Sequence, residues 1–233
     1  AVAAGVWYFV LRSDAPPPVS IENAVGSLST PTGPDQASKA TTTPSGSSSA
    51  SASTGLAGEW ILAPNSNSFV GYRVQEQLAR IGANTAVGRT STITANMTFD
   101  GSAISKLQVT ADLTKLKSDE SLRDGQLRNQ AIETGRFPNA TFVLTSPISI
   151  GAAPAEGQTV SKTIQGDLTL HGVTRSITMD VQGQMKSGQV VVVGSTTIQF
   201  ADYNIGQPRG ANVLSIDDHG VMELQLVFQK ASG

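Results

Sequence analysis

Residues 91–101 read STITANMTFDG. Ile93, Ala95, Met97 and Phe99 alternate with Thr92, Thr94, Asn96 and Thr98, and Asp100-Gly101 supplies a turn. A period of two is the signature of a strand with one buried face. The same pattern recurs downstream. SKLQVTADLT (105–114) places Leu107, Val109, Ala111 and Leu113 on one face, and TFVLTSPISI (141–150) does so with Phe142, Leu144, Ile148 and Ile150. TIQGDLTLHG (163–172) aligns Ile164, Leu168 and Leu170, while SITMDVQGQM (176–185) aligns Ile177, Met179, Val181 and Met185. VMELQLVF (221–228) closes the series with Met222, Leu224, Leu226 and Phe228. SFVGYRVQ (68–75) and VVVVGSTTIQF (190–200) are strand-like but less cleanly one-sided.

About eight strands with short turns predict an antiparallel sheet, since parallel sheets read as continuous apolar runs. So many strands must hide their edges, in a closed barrel or a sandwich. A closed eight-stranded barrel is either filled by side chains or holds one small ligand. The inward set is Ile, Leu, Val, Met and Phe with small positions at Ala95, Ala111, Gly166 and Gly183, and no ionisable residue recurs on it. Such a face suits a core, and equally a cavity for a long apolar chain, because Met adapts to irregular shapes.

One stretch interrupts the strands: Ser118 to Phe142, SDESLRDGQLRNQAIETGRFPNATF. Ser118, Asp119 and Glu120 read as an N-cap and acidic first turn. Leu122, Leu127 and Ile132 form a sparse apolar stripe among Arg123, Asp124, Arg128, Glu133 and Arg136. The expectation is a short helical cap or lid on the β structure, with a second helical hint near Asp202–Ile205.

Ahead of this domain, residues 1–11, AVAAGVWYFVL, are uncharged and end at Arg12. Eleven residues fall short of the ~20 that cross a bilayer, so residues 1–12 are expected to be part of a membrane anchor or a signal segment, with Trp7 and Tyr8 at the interface. Of the 46 residues from Ser13 to Gly58, 28 are Ser, Thr, Pro or Gly, a composition that predicts a disordered linker over 13–58. The barrel domain is then 59–233.

Chemistry is harder to place. Sixteen basic and 18 acidic residues give a net charge of −2, with no basic stripe for nucleic acid. Cysteine is absent, which removes disulfides and thiolate zinc sites. His171 and His219 each sit in a turn, Asp217-Asp218-His219 reads as a polar hairpin tip, and no serine lies in a GxSxG elbow. No catalytic residue, metal site or cofactor is expected.

Two motifs carry a family resemblance: R-D-x-x-L-R followed by F-P-x-x-T-F (Arg123, Asp124, Leu127, Arg128; Phe137, Pro138, Thr141, Phe142), and GDLTLHGVTR from Gly166 to Arg175. With PNSNSFVGYRV, TFDG and ADYNIG in order, the chain from about Trp60 to Lys230 resembles the YceI-like family. One departure falls at Val74–Leu78, VQEQL, where family members often carry Lys-His. The resemblance implies a lipocalin-like barrel that binds polyisoprenoid chains, such as isoprenoid quinones or polyprenyl phosphates, outside the cytoplasm. Tail contacts are then expected from Phe69, Met97, Phe99, Leu144, Leu168, Met179 and Phe228. Head-group or mouth contacts are expected from Arg123, Arg128, His171 and Arg175, since Arg forks to a phosphate or bonds a carbonyl. The competing role for these arginines is to pin the helix to the barrel. The expected partners are an isoprenoid lipid and, through the N-terminal segment, a membrane; nothing in the sequence speaks against a homodimer. A filled barrel working through its surface and a lipid-directed hydrolase are the two rival readings.

Overall fold

The computed structural model describes residues 15–28, 55–80, 82–208 and 212–231. The apolar run expected to reach a membrane and most of the expected linker lie outside these residues. Among the described residues no helix is long and apolar enough to cross a membrane.

Among the described residues thirteen strands form one antiparallel sheet. In chain order they are β1 (Gly58–Leu62), β2 (Phe69–Leu78), β3 (Gly82–Thr90), β4 (Ile93–Phe99) and β5 (Ala103–Asp112). The short β6 (Lys117–Ser118) precedes the lid, and β7 (Asn139–Leu144) and β8 (Ile148–Ser149) follow it. Then come β9 (Thr159–Leu170), β10 (Val173–Lys186), β11 (Gln189–Gln199), β12 (Val213–Ile216) and β13 (His219–Lys230). Eight of them close into a ring in the order β1-β4-β5-β7-β9-β10-β11-β13, with β13 returning to β1 through Trp60↔Lys230 and Leu62↔Phe228. The predicted eight-stranded antiparallel barrel is therefore present.

The ring closes through a handover. The first half of β13 pairs with β2, from Val221↔Arg73 to Gln225↔Phe69, and only its last residues pair with β1. Between the two registers the backbone of Val227 would lack partners inside the sheet. The turn before β2 supplies them: Val227 N donates to Ser68 Oγ at 2.9 Å, and Ala63 N donates to Val227 O at 2.8 Å. Ser68 is buried for this reason. The β2–β3 hairpin thus extends the wall at one end of the barrel, where β12 also pairs with β2 and β6 with β3.

The lid closes that same end. It is a helix, Ser121–Gln126, that runs directly into a π-turn over Leu127–Ala131. Its N-cap is Glu120, whose side chain accepts from Leu122 N, rather than the expected Ser118, which belongs to β6. Ser118 instead donates from N and Oγ to Asp124 Oδ1, at 2.9 and 2.7 Å. The helical hint at Asp202–Ile205 corresponds to a 3-10 turn at Phe200–Tyr203.

Part of the expected disordered linker is ordered. Residues 15–28 cross the outside of the barrel, with a helix at Ile21–Ser27 capped by Ser20. Ile21 and Ala24 are 1% and 0% exposed against Val191 and Val193 of β11. Composition averaged over 46 residues hid this local pattern, because Ile21 and Ala24 lie three apart on one helical face.

Candidate functional site: the barrel interior and its lid

Register fixes which side chains face inward. Partners in an antiparallel pair share a face, so Met97↔Leu107, Val109↔Phe142 and Phe142↔Leu168 continue one apolar lining around the barrel. That lining encloses two cavities. The one at the far end, about 130 Å³, is lined by Trp60, Met97, Phe99, Met179 and Phe228 among others. The one beneath the lid holds about 630 Å³ and is lined from β2, β3, β12, β13 and the lid. That volume lies within the ~300–1,000 Å³ typical of small-molecule sites. Phe142 lines the far-end cavity, and its register partner Leu168 is 1% exposed in the cluster with Leu170, Ile198 and Tyr203. The Phe142 ring lies over Gly166, where an added Cβ would sit 2.3 Å from the ring.

Four expected tail contacts, Met97, Phe99, Met179 and Phe228, line the far-end cavity. Leu144 packs against the Phe142–Ile164–Met179 cluster, and Leu168 is core between the cavities; neither lines one. Phe69 is misplaced altogether. It pairs with Gln225 on the outer face, where the Arg89 guanidinium stacks 4.0 Å from its ring centroid. On β2 the inward residues are Val70, Tyr72, Val74, Glu76 and Leu78. The bulkiest apolar residue suggested the opposite face, and a one-residue slip exchanges every side chain.

That slip concealed the polar end of the site. Glu76 is an inward carboxylate, 8% exposed, on the strand whose sequence is less cleanly one-sided. Arg123 from the lid donates to Glu76 Oε1 at 2.6 Å and is paired on its other side with Asp119. Asn84 donates to the same Glu76 oxygen at 2.7 Å. Burial alone would pull the Arg123 pKa down, but the hydrogen bond and charge of Glu76 outweigh it and hold the guanidinium charged. Tyr72 stands beside this group, its ring fitted over Gly88, where a Cβ would approach to 2.4 Å. Its hydroxyl is buried without a hydrogen-bond partner, and burial pushes its pKa well above the ordinary value.

The other mouth candidates do not face the cavity. Arg128 is exposed on the lid's outer side and lines neither cavity. Arg175 donates through Nε to Asp202 O at 3.1 Å, tying β10 to the 3-10 turn. His171 is a joint: Nδ1 lies 2.9 Å from Tyr203 O and Nε2 lies 3.1 Å from Glu133 Oε2, with the Phe137 ring 4.4 Å away edge-on. Its φ of 51° puts it in the left-handed region, set by the tight β9–β10 turn. The two motifs that carried the resemblance therefore meet in space, because Phe137 of one packs on His171 and Gly172 of the other. They fasten the lid to the barrel. Arg123 alone of the four both fastens the lid and borders the cavity.

Residues 60–228 match the family model described as the YceI-like domain. A UPF0312 protein of Vibrio parahaemolyticus is 28% identical over 155 residues, covering 61% of this chain and 77% of that protein. Protein YceI of Escherichia coli O157:H7 is 29% identical over 136 residues, covering 57% and 65% respectively. Among solved structures, a polyisoprenoid binding domain from Saccharophagus degradans implicated in plant cell wall breakdown superposes with a TM-score of 0.59 at 18% identity, covering 75% of this chain and 99% of that one. Burkholderia cenocepacia BcnA superposes with a TM-score of 0.53 at 20% identity, covering 68% and 95%.

Proposed function

The chain belongs to the YceI-like family, and from that premise we propose that its barrel binds a long-chain isoprenoid lipid without catalysis, outside the cytoplasm. The observation that carries this reading is the interior itself: two cavities in one barrel, the far one walled mainly by apolar side chains and the other joining apolar walls to a group of polar side chains under the lid. Burial of a hydrocarbon chain gains roughly 25 cal/mol per Å² of apolar surface and needs no placed polar contacts along its length. The solved Saccharophagus degradans relative carries polyisoprenoid binding in its description, which supports the same ligand class here.

The polar end favours a neutral oxygen-bearing head group, such as a quinone carbonyl or an alcohol. Arg123 is already neutralised by Glu76 and Asp119. Three carboxylates (Glu76, Asp119, Glu120) and two guanidiniums (Arg80, Arg123) border the lid-end cavity. A phosphate carrying about −1.5 to −2 charges would meet an excess of negative charge, whereas Tyr72 offers a hydroxyl free to bond a neutral oxygen.

Organic extraction of the purified protein followed by mass spectrometry tests the proposal. A co-purifying polyprenyl-chained lipid is expected. Protein that is lipid-free and fails to take up a polyprenyl quinone from detergent would refute it. Uptake of polyprenyl phosphate in preference to the quinone would refute the head-group assignment alone.

A further inference from the structure

The ordered N-terminal segment climbs the outside of the barrel in one direction. At its later end Ser27 Oγ accepts from Asn67 Nδ2, in the turn at the far end of β2. Its helix then lies over Val191 and Val193. Pro16 O accepts from Arg73 Nη2 at 2.7 Å, halfway along β2, and Ala15 borders the cavity beneath the lid. Followed toward the N-terminus, the chain heads for the lid end. Only Arg12, Ser13 and Asp14 separate Ala15 from the uncharged run Ala1–Leu11. Those links reach at most about 14 Å at ~3.5 Å per residue.

The same end carries unusual apolar exposure. Leu122 on the lid is 76% exposed and Leu214 on β12 is 67% exposed, whereas Ile61 and Val143 on the barrel's flank reach only 40% and 42%. Single exposed leucines are ordinary. Leu122 borders the cavity and Val213 and Ile216 beside Leu214 line it, so two separate elements at this mouth present large apolar side chains to water. The mouth's carboxylates outnumber its guanidiniums and would not draw it to anionic lipid, so attachment there would be apolar rather than electrostatic.

We propose that the lid end of the barrel docks on a lipid bilayer, with Leu122 and Leu214 at the interface. This rests on the lipid-binding reading and deepens it. The cavity then exchanges its ligand with the membrane directly under its own mouth, and the hydrocarbon chain never crosses water.

Because the chain has no cysteine, single labels are clean. The full chain with Leu214→Cys, or with Ser187→Cys in the β10–β11 turn at the opposite end, carries an environment-sensitive fluorophore. Each is bound to phosphatidylcholine vesicles with brominated acyl chains. Quenching and a blue shift at position 214, with position 187 unchanged from buffer and both results insensitive to added salt, are expected. Quenching at 187, quenching at neither position in protein that co-floats with vesicles, or failure to co-float overturns the proposal. Unlabelled Leu214→Asp, with an unchanged circular dichroism spectrum, should keep its bound lipid but lose transfer to acceptor vesicles; an undiminished rate overturns the proposal too. Lipid extraction separates the two claims. A lipid-free protein quenched at 214 sinks the cavity reading and leaves the docking, and a loaded protein unquenched at 214 does the reverse.

Discussion

Tyr72 illustrates how a single inward side chain can be costly to the empty barrel and useful to the filled one. Its hydroxyl is buried and unpaired, and an unsatisfied buried group costs about 1–3 kcal/mol. Tyr72→Phe should therefore raise the melting temperature of delipidated protein while weakening retention of a polyprenyl quinone; a lowered melting temperature would show that the hydroxyl is satisfied. Its titration has a fixed sign. Burial raises the folded-state pKa, so the associated stability is complete below the ordinary tyrosine value of about 10 and is lost as pH climbs toward the folded value. Tyrosinate absorbance from Tyr72 should thus appear only together with alkaline unfolding seen by circular dichroism. Glu223 is the opposite case, a buried charge that is fully answered. At 2% exposure on the outer face it holds Arg73 and Arg89, at 3.4 and 2.7 Å. Glu223→Ala leaves two guanidiniums without their partner and should cost about 3–5 kcal/mol, read as a lower urea midpoint at unchanged slope.

At the scale of elements, the N-terminal strap is more than a tether. Pro16 O caps Arg73 of the Glu223 cluster, Asn67 binds Ser27, and Ile21 seats on β11. Ile21→Ala should destabilise by about 2 kcal/mol and open residues 15–28 to limited proteolysis. Unchanged cleavage would mean that the helix does not hold the strap down. The strap also shows what the sequence could and could not reveal. Strands were legible because Ile93–Phe99 alternates without exception and Met222–Phe228 breaks the pattern only at Val227, and alternation needs only local information. The lid was legible as a charged interruption. Its cap was not, because Ser118 is drawn into β6 by Asp124, a contact made only once β3 and the lid are in place. The inward face of β2 was illegible for a related reason. Phe69 and Tyr72 lie on opposite faces, both faces carry charge and apolar bulk, and only pairing with β13 decides between them. Arg128 and Arg175 were grouped with Arg123 by motif, yet the site takes Arg123 alone, because only that guanidinium finds an inward carboxylate.

For the molecule as a whole, the open matter is how much of the interior one ligand occupies. The Phe142–Leu168 pair stands between the two cavities, and Phe142 is locked over Gly166, so a chain passing from lid to far end must run beside a fixed ring. Gly183 offers a direct probe of that passage. It lines the far-end cavity, and a Cβ added there meets nothing closer than Val191 O at 3.9 Å. Gly183→Leu therefore projects into free apolar space, where burial of a leucine is worth about 1.5–3 kcal/mol, and the melting temperature should hold or rise. If a single hydrocarbon chain spans both cavities, the leucine removes room only for its tail. The lipid extracted from Gly183→Leu should then shift to fewer isoprene units with the same head group. A distribution identical to that of the parent protein would confine the ligand to the lid end and leave the far-end cavity as unfilled core.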